Sequence, residues 1–131
     1  MAGESNLNTL LASMSPVLMA GEYVFCSFDG ATYGSGQELE PVAACMEKEG
    51  LTLVIPRANA DRHGLSYESV FRGITLKVHS SLEAVGLTAA FATKLSQHGI
   101  SANVIAGYFH DHIFVCSDHA NKAMAALNEL A

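Results

Sequence analysis

The chain has 131 residues, half of them hydrophobic and 15% charged, with 13 acids against 7 bases and a net charge of −6. That length suits one compact domain or two small modules sharing a core, and the apolar content excludes a disordered chain. An acidic chain without a basic cluster is repelled by phosphate backbones, so nucleic acid is not expected as a partner.

Leu7, Leu10, Leu11 and Met14 recur at helical spacing, with Ser5 or Asn6 available as N-cap and Pro16 as a stop. Val17, Leu18 and Met19 begin an extended segment that Gly21 and Glu22 break. Residues 23–28 are apolar at both parities, which predicts a strand covered on both faces. Residues 29–37, with Gly30, Gly34 and Gly36, read as a polar loop; they lack the GK[ST] ending of a phosphate-binding loop. Pro41 suits the first turn of a helix, Val42, Cys45 and Met46 give it a narrow apolar face, and Gly50 closes it. Residues 51–55 predict a buried strand that Pro56 ends. Residues 57–67 are polar and hold the expected boundary.

The pattern then becomes more regular. Ile74, Leu76 and Val78 alternate with Thr75, Lys77 and His79, the period of a half-buried strand. Leu87, Ala90, Phe91 and Leu95 lie on one helical face, and Gly99 supplies the positive φ that ends the helix. Ile100, Ala102, Val104 and Ala106 resume the alternation, completing a βαβ unit. Residues 108–111 turn the chain back into a return strand over 112–116. Ser117 or Asp118 caps a last helix whose apolar face is Ala120, Ala123, Met124, Leu127 and Leu130.

The order β-α-β-β-α predicts an α+β fold with ferredoxin-like, antiparallel sheets and helices on one face. The last strand of that pattern is missing from the C-terminal half, so the N-terminal half must supply an edge, with residues 23–28 as the expected strand. A helix–glycine–strand run around Gly50 echoes the one around Gly99. The chain therefore divides into a degenerate unit over residues 1–62 and a more regular one over 63–131.

His110, Asp111, His112, Cys116, Asp118 and His119 are dense, but they show neither a helical i, i+4 pair nor an established metal-ligand spacing. No metal and no other cofactor is expected. No GxSxG elbow exists, and the neighbours His79 and Ser80 face opposite sides of a strand, so the chain is not expected to be an enzyme. Cys26, Cys45 and Cys116 form no CxxC pair and are expected as free thiols in a reducing compartment. Without a cationic leader or a run of about 18 apolar residues, no membrane partner is expected and the cytoplasm follows by elimination.

The join before the central helix, SSLEAVGLT over residues 80–88, offers a binding chemistry. Gly86 lets the backbone turn closely into the helix, and the N–H groups of Gly86, Leu87 and Thr88 point outward at the positive end of the helix dipole. Such a loop suits a carboxylate. Asp111, expected as an exposed hairpin acid, offers an acceptor for an ammonium group. The same residues also admit a purely structural role, in which Gly86 allows close helix–sheet packing and Ser80 or Ser81 caps.

The run VGLTAAFATKLSQHGISANVIAGYFHDHIFV resembles an ACT domain: in Gly86 at the strand–helix turn, in Gly99-Ile100 at the helix end, and in His110-Asp111-His112 leading into Ile113-Phe114-Val115. It is similar to small bacterial ACT-like proteins, to the ACT domains of the cytosolic arginine sensor of the TOR pathway and, more distantly, to the regulatory domains of aspartokinase. The resemblance covers residues 68–131 well and 15–56 more loosely. It implies two ACT-like units, a homodimer, and an amino acid or similar small ligand bound at an ACT-domain interface. In the arginine-sensing relatives an acid matches Asp111, an aromatic matches Tyr108 and a threonine matches Gly107. An acid also precedes their turn glycine; here Ala84 matches that place, with Glu83 beside it. The ligand-binding residues so implied are Ser80, Ser81, Glu83, Val85, Gly86, Leu87, Thr88, Asn103, Gly107, Tyr108 and Asp111. The expected function is a non-catalytic, small-molecule-binding regulatory protein. The alternatives are an interaction protein without a ligand and an enzyme of unrecognised chemistry.

Overall fold

The structure is a computed structural model and describes residues 6–77 and 85–130. Its elements, in chain order, are α1 (Leu7–Ser13), β1 (Pro16–Leu18), β2 (Tyr23–Phe28), β3 (Ala43–Glu47), β4 (Gly50–Pro56), α2 (Arg57–Arg62), β5 (Phe71–Leu76), α3 (Leu87–Gln97), β6 (Asn103–Ala106), β7 (Asp111–Cys116) and α4 (Ala120–Asn128). Short 3-10 turns occupy Gln37–Leu39 and Ser117–His119. The chain gathers into two compact units. The first joins the residues up to Ala20 to those from Arg72 onward, and the second is Gly21–Phe71. The division between residues 62 and 63 remains a proposal about where one sequence repeat ends; spatial grouping assigns the first twenty residues to the C-terminal half.

In the first unit β1 pairs antiparallel with β5, β5 lies beside β7, and β7 pairs antiparallel with β6. Beside β5 the N-terminal half supplies Pro16–Leu18, with Pro16 opposite Leu76 and Leu18 opposite Ile74. Tyr23–Phe28 also stands beside β5, paired at Tyr23 opposite Phe71, while its whole length pairs with β4. Strand alternation puts Ile74 and Leu76 of β5 and Ile113 and Val115 of β7 on one face. Leu87, Phe91 and Leu95 of α3 and Ala123 and Leu127 of α4 bury that face, joined by Leu10 and Met14 of α1. Burying each large aliphatic side chain contributes about 1.5–3 kcal/mol.

Local signals set the helix ends. Asn6 fills the cap of α1, its side chain accepting the Thr9 N–H at 3.0 Å. At the end of α3, Gly99 takes φ 71°. Its N–H donates to Ser96 O at 2.9 Å and the Ile100 N–H to Leu95 O at 3.0 Å, a Schellman closure. Neither Ser117 nor Asp118 caps α4 with its side chain; both fall in the 3-10 turn that precedes it.

The second unit corrects several expectations. The segment behind Pro41 is not a helix but the strand β3, paired antiparallel with β4 from Ala43 opposite Val54 to Glu47 opposite Gly50. Val42 and Met46, expected to face a core, are 46% and 40% exposed. Gly50 does not end a helix. A Cβ there would stand 2.8 Å from Phe28 O, so the residue is glycine because β4 passes close to the end of β2. The helix–glycine–strand echo therefore has no structural counterpart at Gly50. The polar stretch after Pro56 contains α2, with Asn59 and Ala60 buried. Val24, Cys26, Leu39, Leu51, Leu53, Ile55 and Ala60 form this unit's core.

Cys26 is buried, Cys45 exposed and Cys116 half-buried, all three as free thiols. Among the described residues no group of His, Cys, Asp and Glu could hold a metal ion. No helix among them is long and apolar enough to cross a membrane.

Candidate functional site

Ser80, Ser81 and Glu83 lie outside the described residues. The described part of the loop begins at Val85, which is 84% exposed. Gly86 occupies the N-cap of α3 with φ 101°, a left-handed conformation that suits glycine, and among the described residues no side chain caps the helix there. The first intrahelical bond is Ala90 N–H to Gly86 O at 2.9 Å, so the N–H groups of Leu87, Thr88 and Ala89 have no helical carbonyl to reach. Leu87 is buried and Thr88 exposed. A Cβ on Gly86 would come 3.1 Å from Leu7 Cδ2, so α1 packs directly beside this helix end.

The hairpin sits at the same end of the sheet. Thr75 Oγ1 of β5 hydrogen-bonds His112 Nδ1 of β7 at 3.0 Å. A Cβ on Gly73 would stand 3.0 Å from Phe114 Cε2. The numbering rises along one strand as it falls along the other, so β5 and β7 run antiparallel. The C-terminal end of β5, which feeds the loop into α3, therefore neighbours the N-terminal end of β7, where Asp111 begins the strand. Asp111 shares its parity with Ile113 and Val115 and so lies on the face that carries α3 and α4. His112 and Phe114 lie on the opposite face.

That parity corrects the expectation of an exposed acid. Asp111 is 7% exposed, and burial raises its carboxyl above the usual range, with the neighbouring His112 and His110 acting in the opposite direction. His112 is shifted below its usual value, chiefly by burial and then by His110, with Asp111 opposing. His110 Nδ1 is buried and finds no hydrogen-bond partner among the described residues. A buried carboxylate is costly unless a cation or donors compensate it.

The other predicted residues divide. Gly107 closes the hairpin, its N–H donating to His110 O at 2.9 Å, and a Cβ there would stand 2.8 Å from that same oxygen. The turn has no room for a larger residue at this position. Tyr108 and Phe109 project from the tip, 58% and 61% exposed, with their rings edge to face at 5.1 Å. Asn103 spends its amide on the neighbouring strand, Nδ2 donating to Phe114 O at 3.1 Å. Sequence reading missed Thr75 and His112. Their signal was available only as two outward-facing polar residues on strands that prove to be adjacent.

A groove of about 390 Å³ reaches Gly86 and runs along α3 past Ala90, Thr93 and Lys94 to Gln97, with Leu130 on its far wall. Lys94 Nζ pairs with the Glu129 carboxylate at 2.6 Å. The groove includes Gly86 but not the described hairpin residues, so the two halves of the expected site share an end and a face of the sheet without sharing this cavity.

Comparison with known proteins bears on the same elements. A model of the ACT domain matches residues 2–72, and a second ACT-domain model matches residues 68–129. A crystal structure from Vibrio cholerae, described as a protein of unknown function and possible transport protein, is similar at 59% identity over 95% of each chain, with a TM-score of 0.86. The alpha and beta subunits of an aspartokinase are similar in fold at 9% identity and a TM-score of 0.66, covering 88% of this chain and 96% of that one. The ligand-free regulatory subunit of aspartate kinase from Thermus thermophilus gives 6% identity and a TM-score of 0.66, over 91% and 98%. No curated protein matches the sequence.

Proposed function

The chain belongs to the ACT-domain family, and from that premise we propose that it is a non-catalytic regulatory protein that senses an amino acid at the loop before α3 and the β6–β7 hairpin. One observation carries the reading. Asp111 is a buried acid on the helix-bearing face, at the end of the sheet from which the chain enters α3. An α-amino acid offers two charges that complement such an arrangement. Its ammonium compensates the desolvated Asp111 carboxylate, and its carboxylate takes the N–H groups of Gly86, Leu87 and Thr88. Tyr108 and Val85, both exposed, lie on the two segments that would close over the side chain. Ser80, Ser81, Glu83, Gly107 and Asn103 complete the proposed contact set, Asn103 through its backbone because its amide is already engaged.

The protein acts without catalysis and transmits occupancy through assembly, as a homodimer in the cytoplasm. Three free thiols, one of them exposed, support a reducing compartment. Calorimetric titration of wild type and Asp111→Asn with the amino acids tests the reading: saturable binding that weakens in the variant supports it, and equal affinity in both removes Asp111 from the site.

A second reading has its own observation. Tyr108 and Phe109 present a rigid aromatic pair at an exposed tip, which also suits protein contact. In that case no amino acid binds, and Tyr108→Ser with Phe109→Ser abolishes capture of the partner.

A further inference from the structure

The second unit contains a cavity unrelated to the Asp111 hairpin. A ferredoxin-like sheet ordinarily carries a full helix after its first strand. Here the chain after β2 makes turns and the short Gln37–Leu39 turn instead, leaving part of the sheet's face uncovered. The result is a cavity of about 270 Å³. Its floor is apolar, formed by Phe28, Leu39 and Leu65, and Ser35, Glu38 and His63 stand among its walls.

The walls are tied together by one buried residue. Asn59, 6% exposed, donates from Nδ2 to Leu39 O at 2.7 Å, which anchors the wall that carries Glu38. Its backbone oxygen accepts from both the His63 N–H at 3.2 Å and His63 Nδ1 at 2.9 Å, which anchors the opposite wall. Arg62 Nη1 holds Asn59 Oδ1 at 2.9 Å. Because a carbonyl can only accept, His63 carries its proton on Nδ1, and in the neutral ring Nε2 is an acceptor. Gly36 presses the loop onto the core: at φ 78° its Cβ position lies 2.7 Å from Leu53 Cδ1. The cavity is therefore preformed rather than a gap in a loose loop.

We propose that this cavity binds a small organic amine, its hydrocarbon body on Phe28, Leu39 and Leu65 and its ammonium held by the Glu38 carboxylate and His63 Nε2. Two acceptors beside an apolar floor favour a cation, and among the described residues no Lys or Arg lines the cavity to receive an anion. At about 30 Å³ per water-sized group the cavity admits on the order of nine non-hydrogen atoms. This site is independent of the amino-acid reading, since it lies wholly in Gly21–Phe71.

The test titrates the full chain with isopentylamine and 2-phenylethylamine, and with isopentanol and isovalerate as neutral and anionic isosteres, followed by methyl and aromatic NMR shifts. Saturable shifts of Leu39, Leu65 and Phe28 with the amines are expected, with binding about tenfold weaker in Glu38→Gln and lost when Ala31→Leu fills the cavity that Ala31 lines. Asp111→Asn should leave them unchanged. Equal binding of all four probes, undiminished binding in either cavity variant, or no saturable shift at millimolar amine overturns the proposal.

Discussion

Thr75 Oγ1 and His112 Nδ1 meet at 3.0 Å across β5 and β7, on the sheet face away from α3 and α4. Together with the approach of Gly73 to Phe114, the contact shows the two strands running antiparallel, so the chain leaves β5 at the same end of the sheet as Asp111. It also holds His112 in a half-buried position where the charged imidazolium is disfavoured.

That depressed value has a signed consequence. His112 titrates lower in the folded chain than its ordinary 6.5, so the unfolded chain takes up the proton first as pH falls. Its stability contribution is complete above that value and is lost as pH drops through the folded value. Asp111 acts oppositely in a lower window. Its raised carboxyl favours the neutral form, so its contribution is present below its ordinary 3.8 and lost as pH rises through the folded value. Urea denaturation should show wild type losing more stability than His112→Gln between neutral and mildly acid pH. Parallel losses in the two proteins would exclude His112 as the source.

Gly86→Val should destabilise by about 1–2 kcal/mol, because a branched residue must adopt the left-handed φ of 101°. It also places a side chain against Leu7, whose Cδ2 is 3.1 Å from the Cβ position. Amino-acid binding should fall with it. Thermal melting checks the first effect and titration the second; a variant that melts and binds like wild type would show that this turn is neither strained nor in the site.

Asp111→Asn separates binding from stability. The substitution keeps the shape and removes a desolvated charge, so neutral-pH stability should hold or rise. Affinity for an α-amino ligand should fall about tenfold or more with the loss of a charge-assisted hydrogen bond. A large loss of stability without a change in affinity would make Asp111 a structural acid.

Much of this fold is legible where an element has a core to face. The 3.6-residue pattern of Leu87, Phe91 and Leu95 and the alternation of Ile74 and Leu76 both point into one buried cluster, so periodicity reports them directly. The segment at Ala43–Glu47 has no such witness. It is a solvent-exposed strand, and its identity comes from hydrogen bonds to β4 rather than from its own side chains. Val42, Cys45 and Met46 matched helical spacing by accident of composition. The helix Arg57–Arg62 escaped notice because it is short and buries only Asn59 and Ala60, one of them polar. In the candidate site Gly86 was readable from its place before a helical pattern. The burial of Asp111 was not, since it depends on the strand beginning at that residue, where the sequence reads as a turn.

The most direct test of the central claim is a thermal-shift screen of the purified chain against the standard amino acids at near-neutral pH. A ligand at 100 times its dissociation constant adds about 2.7 kcal/mol, enough to raise the melting temperature by several degrees. At least one amino acid should produce such a shift, and Asp111→Asn, binding about tenfold more weakly, should lose about half of it or more. A flat response to every amino acid, from protein that melts cooperatively, would contradict it.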